Sequence, residues 1–213
     1  MGKKAVVIGA TGVVGRALVN QLVSTPEFTE IVTLTRRKID YSDDKVVNHV
    51  IDFEHLDNCA NLITGDCFFS CLGTTKNLAG SIENQRKVDY FYQLSAARIA
   101  AENHMSHLLL VSSSGANQHS YSAYLKMKGE LETQIKMLPF KTISIFQPSL
   151  LLGDRQDFRL GEKIAALILP TLCKLPLLRR YRPITGHQVA VKMLTTCAQY
   201  NSGINTYTLD ELF

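Results

Sequence analysis

The chain has 213 residues, 46% of them hydrophobic and 20% charged, with a formal net charge of +4. That size suits one domain, 1–213, with a sizeable core, and the composition excludes global disorder. The 23 Lys and Arg against 19 Asp and Glu are too nearly balanced, and too scattered, for a nucleic-acid-binding surface.

Apolar runs of strand length alternate with helical patterns. Strands are expected at residues 5–9, 30–35, 46–51, 67–72, 107–112, 142–147 and 206–209, and helices at 12–24, 56–63, 82–103, 123–136 and 189–199. Such alternation predicts βαβ units and a doubly wound parallel sheet of the α/β class. Right-handed crossovers then give strand order 3-2-1-4-5-6, with a ligand at the carboxyl edge of the strands. Residues 154–186 break the alternation. With Arg155, Arg159, Arg180 and Arg182 among Pro170, Pro176 and Pro183, the segment reads as an insertion over the site, a small C-terminal lid on its substrate side. Its apolar stretch 164–178 is short and interrupted by Pro170, Lys174 and Pro176. Membrane insertion is not expected there, and peripheral contact with a membrane stays open.

Cysteines stand at positions 59, 67, 71, 173 and 197. Their number is odd and no spacing suits a metal, so free or buried thiols in a reducing compartment are expected, with no metal site. The start of the chain fits neither a leader peptide nor a myristoylation pattern, and residence in the cytoplasm is the expectation.

The first strand runs into Gly9-Ala10-Thr11-Gly12-Val13-Val14-Gly15 and then into an amphipathic helix. A dinucleotide pyrophosphate needs this order. Gly9 permits the tight turn, Gly12 lets backbone approach phosphate, Gly15 lets helix and strand pack closely, and the helix N-terminus favours an anion. The second strand ends in Thr35-Arg36-Arg37-Lys38, where an NAD site would carry a carboxylate. Guanidinium groups grip a 2′-phosphate, so the pattern favours NADP(H). Farther on, Ser112-Ser113-Ser114 ends the fifth strand, and Tyr124 and Lys128 lie one turn apart on the next helix. A phenol, with a pKa of about 10, is a poor acid–base group at neutral pH. A neighbouring ammonium stabilises the phenolate, and the hydroxyl can then exchange a proton with a carbonyl oxygen that a serine orients.

Together these three motifs resemble the short-chain dehydrogenase/reductase superfamily, in its extended and atypical branches. Ser70-Cys71-Leu72-Gly73-Thr74-Thr75, Lys126-Met127-Lys128-Gly129-Glu130 and Leu151-Leu152-Gly153-Asp154-Arg155-Gln156 are similar to the subfamily of the Tat-interacting tumour-suppressor oxidoreductase and its bacterial relatives. The resemblance spans nearly the whole chain and implies a Rossmann fold. It also implies roles. Thr11, Val13 and Val14 would lie against the cofactor phosphates, with Arg36 and Arg37 on the adenosine 2′-phosphate. Asp52 and Phe53 would lie near adenine, Leu72 and Gly73 by the adenosine ribose, and Pro148 beside the nicotinamide. Tyr124 would be the acid–base residue, Lys128 would bind the ribose and tune Tyr124, and Ser113, ahead of Ser112, would orient the carbonyl. Two places depart from the family pattern. Val88-Asp89 stands where an asparagine is frequent, and Gln147-Pro148-Ser149 where Arg-Pro-Gly is frequent. Both bear on catalysis more than on cofactor binding.

The expected function is NADPH-dependent reduction of a carbonyl in a small or medium-sized metabolite, by a monomer or homodimer. One rival is an NADP(H)-binding sensor acting through a protein partner. Another is a sugar-nucleotide epimerase, for which the chain after Pro148 is short.

Overall fold

A computed structural model describes residues 2–152, 182–199 and 201–213. Seven strands form one sheet in the order β3-β2-β1-β4-β5-β6-β9, and every neighbouring pair is parallel. They are β1 (Lys3–Ile8), β2 (Phe28–Thr35), β3 (Val46–Val50), β4 (Cys67–Ser70), β5 (His107–Val111), β6 (Thr142–Gln147) and β9 (Gly203–Thr208). The expected order 3-2-1-4-5-6 holds, and β9 adds a seventh strand beside β6. It begins earlier than residue 206 because it pairs with β6 along its whole length, from Gly203 opposite Thr142 to Thr208 opposite Gln147.

Alternation along the strands decides which layer each side chain joins. Ala5, Val7, Phe69, Leu109 and Phe146 face one layer, packed with Val14, Leu18 and Leu22 of α1 (Val13–Val23) and Val189, Ala190 and Met193 of α6 (Gly186–Ala198). Val6, Ile8, Phe68, Leu108, Leu110 and Ile145 face the other, packed with Leu94, Ala97 and Ala100 of α4 (Tyr92–Glu102) and Leu131 and Ile135 of α5 (Ala123–Ile135). Both faces of a parallel sheet are thereby covered, which is why its central strands read as unbroken apolar runs. The exposed large apolar side chains of the sheet lie on its two edge strands, Val47 and Val50 on β3 and Ile204 on β9.

Two helices expected from the sequence take other forms. The helix expected over 56–63 is part of a kinked 3-10 helix, Phe53–Leu62, with non-helical backbone at His55 and Cys59 and Ile63 as its C-cap. The helix expected over 82–103 is divided into α3 (Ile82–Arg86), a π turn at Lys87–Phe91, and α4. A short helix, α2 (Lys76–Ala79), precedes them. A two-residue ladder of β7 (Leu151–Leu152) on β8 (Ile184–Thr185) is a feature the sequence reading did not contain. Of the expected lid over 154–186, residues 154–181 lie outside the described residues.

Candidate functional site

The glycine loop joins β1 to α1 at the carboxyl edge of the sheet, between β2 and β4. Gly9 has φ +80°, a left-handed conformation, and a Cβ there would lie 2.4 Å from the Cys71 carbonyl at the end of β4. A Cβ on Gly15 would lie 2.2 Å from the Gly9 carbonyl oxygen. The loop is closed by the Gly12 amide donating to Gly9 O at 3.0 Å. Gly12 caps α1 without a side-chain hydrogen bond, so no side chain competes for the first amides of the helix.

Above the loop lies a cleft of about 770 Å³. Of the residues that the sequence reading assigned to cofactor binding, Gly9, Thr11, Gly12, Arg36, Arg37, Phe53, Leu72 and Gly73 line it. Val13, Val14 and Gly15 lie behind this surface in the first turn of α1. Asp52 is absent from the lining. Its carboxylate caps the 3-10 helix, accepting from the Glu54 amide at 2.9 Å and pairing with His55 Nδ1 at 3.0 Å, and these contacts hold it below the usual carboxylate range. Glu54 takes its place at the cleft wall. It accepts from Tyr92 Oη at 2.6 Å and Lys87 Nζ at 2.9 Å. Burial and the Glu54 hydrogen bond push the Tyr92 phenol up to about 12.

Arg36 and Arg37 are exposed after β2, and neither forms a salt bridge among the described residues. Lys38, the third cation of the run, is already paired with Asp40 at 2.7 Å. The Thr35 hydroxyl donates to Arg37 O at 2.8 Å and fixes the turn that aims the two arginines.

The other end of the site is built by α5, the π turn and the ends of β5 and β6. Tyr124 is exposed on the first turn of α5, and Lys128 lies one turn on, buried. Lys128 Nζ stands 3.1 Å from Asp89 Oδ1, and both side chains are almost wholly excluded from solvent. The second Asp89 oxygen accepts from the Thr74 amide at 3.0 Å. Burial opposes the charge on Lys128, but Asp89, then Tyr124 and Glu132, outweigh it, and the ammonium is held above its usual range. Asp89 lies within the π turn, which carries its buried carboxylate to Lys128 of α5.

Ser112 and Ser113 are sorted by their partners. Ser112 is buried and donates to Glu132 Oε1 at 2.5 Å, while Gln147 Nε2 donates to both oxygens of Glu132 at 2.8 and 3.1 Å. Ser113 is half-buried, and its hydroxyl makes one long contact, 3.5 Å, to Ser114 O. The Ser114 amide donates to Pro148 O at 2.9 Å, which places Pro148 beside the serine turn. Gly129 lets the serine–tyrosine loop rest directly on α5, since a Cβ there would lie 2.3 Å from the backbone of Asn117 and Gln118.

Sequence reasoning did not find the roles of Asp89, Glu132 and Gln147. The signal for Asp89 was a carboxylate within the apolar stretch Val88-Asp89-Tyr90-Phe91. Nor did the spacing of cysteines disclose that Cys67, His107 and Cys197, all buried, bring their ligand atoms within 4.8 Å of one another.

No family model matches the chain. It is 36% identical over 167 residues to Protein HTATIP2 of Rattus norvegicus, covering 76% of this chain and 69% of that one. It is 38% identical over 168 residues to the mitochondrial protein FMP52 of Candida albicans, covering 76% and 73%. Among solved structures, MoeE5 in complex with UDP-glucuronic acid and NAD superposes with TM-score 0.73 at 13% identity, over 98% of this chain and 76% of that one. WbmH of Bordetella bronchiseptica in complex with NAD+ gives 0.71 at 12% identity, over 98% and 76%. These two likenesses bear on the fold alone, a Rossmann-like parallel sheet. The FMP52 relatives, that of Saccharomyces cerevisiae included, are mitochondrial by name, which overturns the expectation of cytoplasmic residence. No helix among the described residues is long and apolar enough to cross a membrane.

Proposed function

We propose, from the premise that this chain belongs to the family of the HTATIP2 and FMP52 proteins, of the short-chain dehydrogenase/reductase type, that it reduces a carbonyl of a small or medium-sized metabolite with NADPH. One observation carries the reading: a buried, carboxylate-anchored Lys128 sits one helical turn from the exposed Tyr124, beyond a glycine-walled cleft edged by two arginines outside any salt bridge among the described residues.

The residues fit a dinucleotide. Gly9 and Gly15 leave a cradle that a Cβ would fill, and the uncapped amides of α1 and the Arg36 and Arg37 guanidinium groups are donors for phosphate. Thr11, Val13 and Val14 would border the pyrophosphate. Phe53, with the neighbouring Asp52 backbone, would border adenine. Leu72 and Gly73 would meet the adenosine ribose, and Pro148 the nicotinamide. When bound, NADPH supplies the hydride that goes to the carbonyl carbon.

This chain's own groups handle the proton. The Ser113 hydroxyl is the one left to orient the carbonyl oxygen, because Ser112 donates to Glu132. Tyr124 Oη gives its proton to that oxygen as alkoxide charge develops. Lys128, kept cationic by Asp89, stabilises the phenolate that remains. Because Tyr124 is open to solvent, it recovers a proton from water directly.

Two measurements test this. NADPH should bind more tightly than NADH, and NADPH absorbance should fall on mixing with at least one member of a panel of aldehydes and ketones. Equal affinity for the two cofactors, or a silent panel with cofactor shown to be bound, would overturn the reading.

A further inference from the structure

At the end of the sheet opposite the glycine loop, the first residues of two neighbouring strands lie side by side. Cys67 opens β4, His107 opens β5, and the two are register partners. Cys197 closes over them from the last turn of α6. Cys67 Sγ and Cys197 Sγ are 3.1 Å apart, although 130 residues separate them in the chain. His107 Nε2 is 2.9 Å from Ser144 Oγ, which fixes the ring beside the sulfurs. All three residues are buried, and the cleft described above does not reach them. Nothing in carbonyl reduction uses this cluster.

A disulfide bond is about 2.05 Å long, so the sulfurs have about 1 Å to close. We propose that Cys67 and Cys197 are a reversible dithiol–disulfide pair, oxidised by a small peroxide, with His107 as the group that stabilises the attacking thiolate. Hydrogen peroxide is small enough to reach sulfurs with little exposed surface. Cys197 Sγ attacks one peroxide oxygen, the O–O bond breaks, and hydroxide leaves and is protonated to water, giving a sulfenic acid on Cys197. Cys67 Sγ then attacks the Cys197 sulfur. The S–O bond breaks, and the departing hydroxide takes the Cys67 proton as the second water. Two thiols lose two electrons, and one peroxide becomes two waters.

The polarity of the pair agrees with this order. The Cys67 hydrogen bond, against the cost of burial and with further help from His107, holds Cys197 well below the ordinary thiol range, while Cys67 is pushed well above it. The other two thiols among the described residues differ: burial pushes Cys71 up to about 12, and burial and Asp57 raise Cys59. A thiolate beside a resolving thiol is the arrangement that forms disulfides selectively.

The test is titration of the intact protein with hydrogen peroxide, followed by non-reducing digestion and mass spectrometry. The expected result is a peptide linked through Cys67 and Cys197, loss of two of the five thiols, and full recovery with dithiothreitol. Closing so long a loop should raise the melting temperature by about 5–10 °C, and Cys67→Ala or Cys197→Ala should abolish that rise. The wild-type digest decides the matter even if a variant fails to fold. Three results would overturn the proposal: oxidation of Cys59 with Cys67 and Cys197 still unlinked, a link to a different cysteine, or tightly held stoichiometric zinc that survives EDTA and keeps both thiols reduced.

Discussion

On the β2 side, the cleft is built from backbone and from exposed cations: the glycine loop, Arg36 and Arg37. On the α5 side, the lysine and the carboxylates are buried and already paired, Lys128 with Asp89, and Glu132 with Ser112 and Gln147. The first region invests little in its own fold and keeps its donors for a ligand. The second holds charges that cost several kcal/mol each to desolvate, at order-of-magnitude level, and it repays that through mutual contacts. Substitutions should therefore have separable consequences, on affinity alone at one end and on turnover together with stability at the other.

The largest expected effect is at the reacting proton. Tyr124→Phe should lower turnover by about 100- to 10,000-fold and leave NADPH affinity within a few-fold, measured by steady-state kinetics and fluorescence titration. Asp89→Ala comes next. It strands the buried Lys128 ammonium, and chemical denaturation should show a loss of about 3–5 kcal/mol. Replacing Arg36 and Arg37 together with alanine should weaken NADPH by about 10- to 150-fold and leave NADH and the melting temperature almost unmoved. If that double variant unfolds instead, the contrast between the two regions fails.

Alkaline pH separates the regions further. The Lys128 ammonium is held above its usual 10.5 in the folded chain. Its stabilisation is fully present below that value and is lost as pH rises through the folded one. Stability measured from pH 9 upward should fall above about 10.5 in the wild type, and Lys128→Met should flatten that part of the curve. The smallest effect belongs to neither region. Thr185 caps α6 in a capping box with Gln188, and Thr185→Ala should cost about 1 kcal/mol with no change in cofactor affinity.

Much of this architecture is written locally in the chain. The order of the central strands follows from alternation and handedness, and the glycine loop and the spacing of Tyr124 and Lys128 are visible as short motifs. What escaped sequence reasoning depends on contacts between distant segments. Asp89 meets Lys128 across 39 positions, from a π turn within a stretch that reads as one continuous helix. Glu132 gathers Ser112 and Gln147 from two other elements, and each alone looks like an ordinary polar residue at a strand end. The pairing of Cys67 with Cys197 joins the fourth strand to the last helix, a separation at which cysteine spacing carries no information. Asp52 carries a role that sequence reasoning did not assign: the resemblance implied a place near adenine, and the structure shows its carboxylate capping the helical turn that follows.

The position of β9 has a consequence for how the molecule comes into being. Every strand pair in the main sheet is parallel, so each requires a crossover, and β6 lacks its outer neighbour until residues 203–208, distant in sequence, pair with it. Until then the Thr142–Gln147 edge stands open, with Phe146 waiting for the Tyr207 ring that stacks on it at 5.3 Å. Non-local parallel pairing is slow to form, and unpaired edges associate with one another. Removing residues 200–213 should thus leave the β6 edge unpaired and the shortened chain should collect as aggregates, while the 213-residue chain stays dispersed.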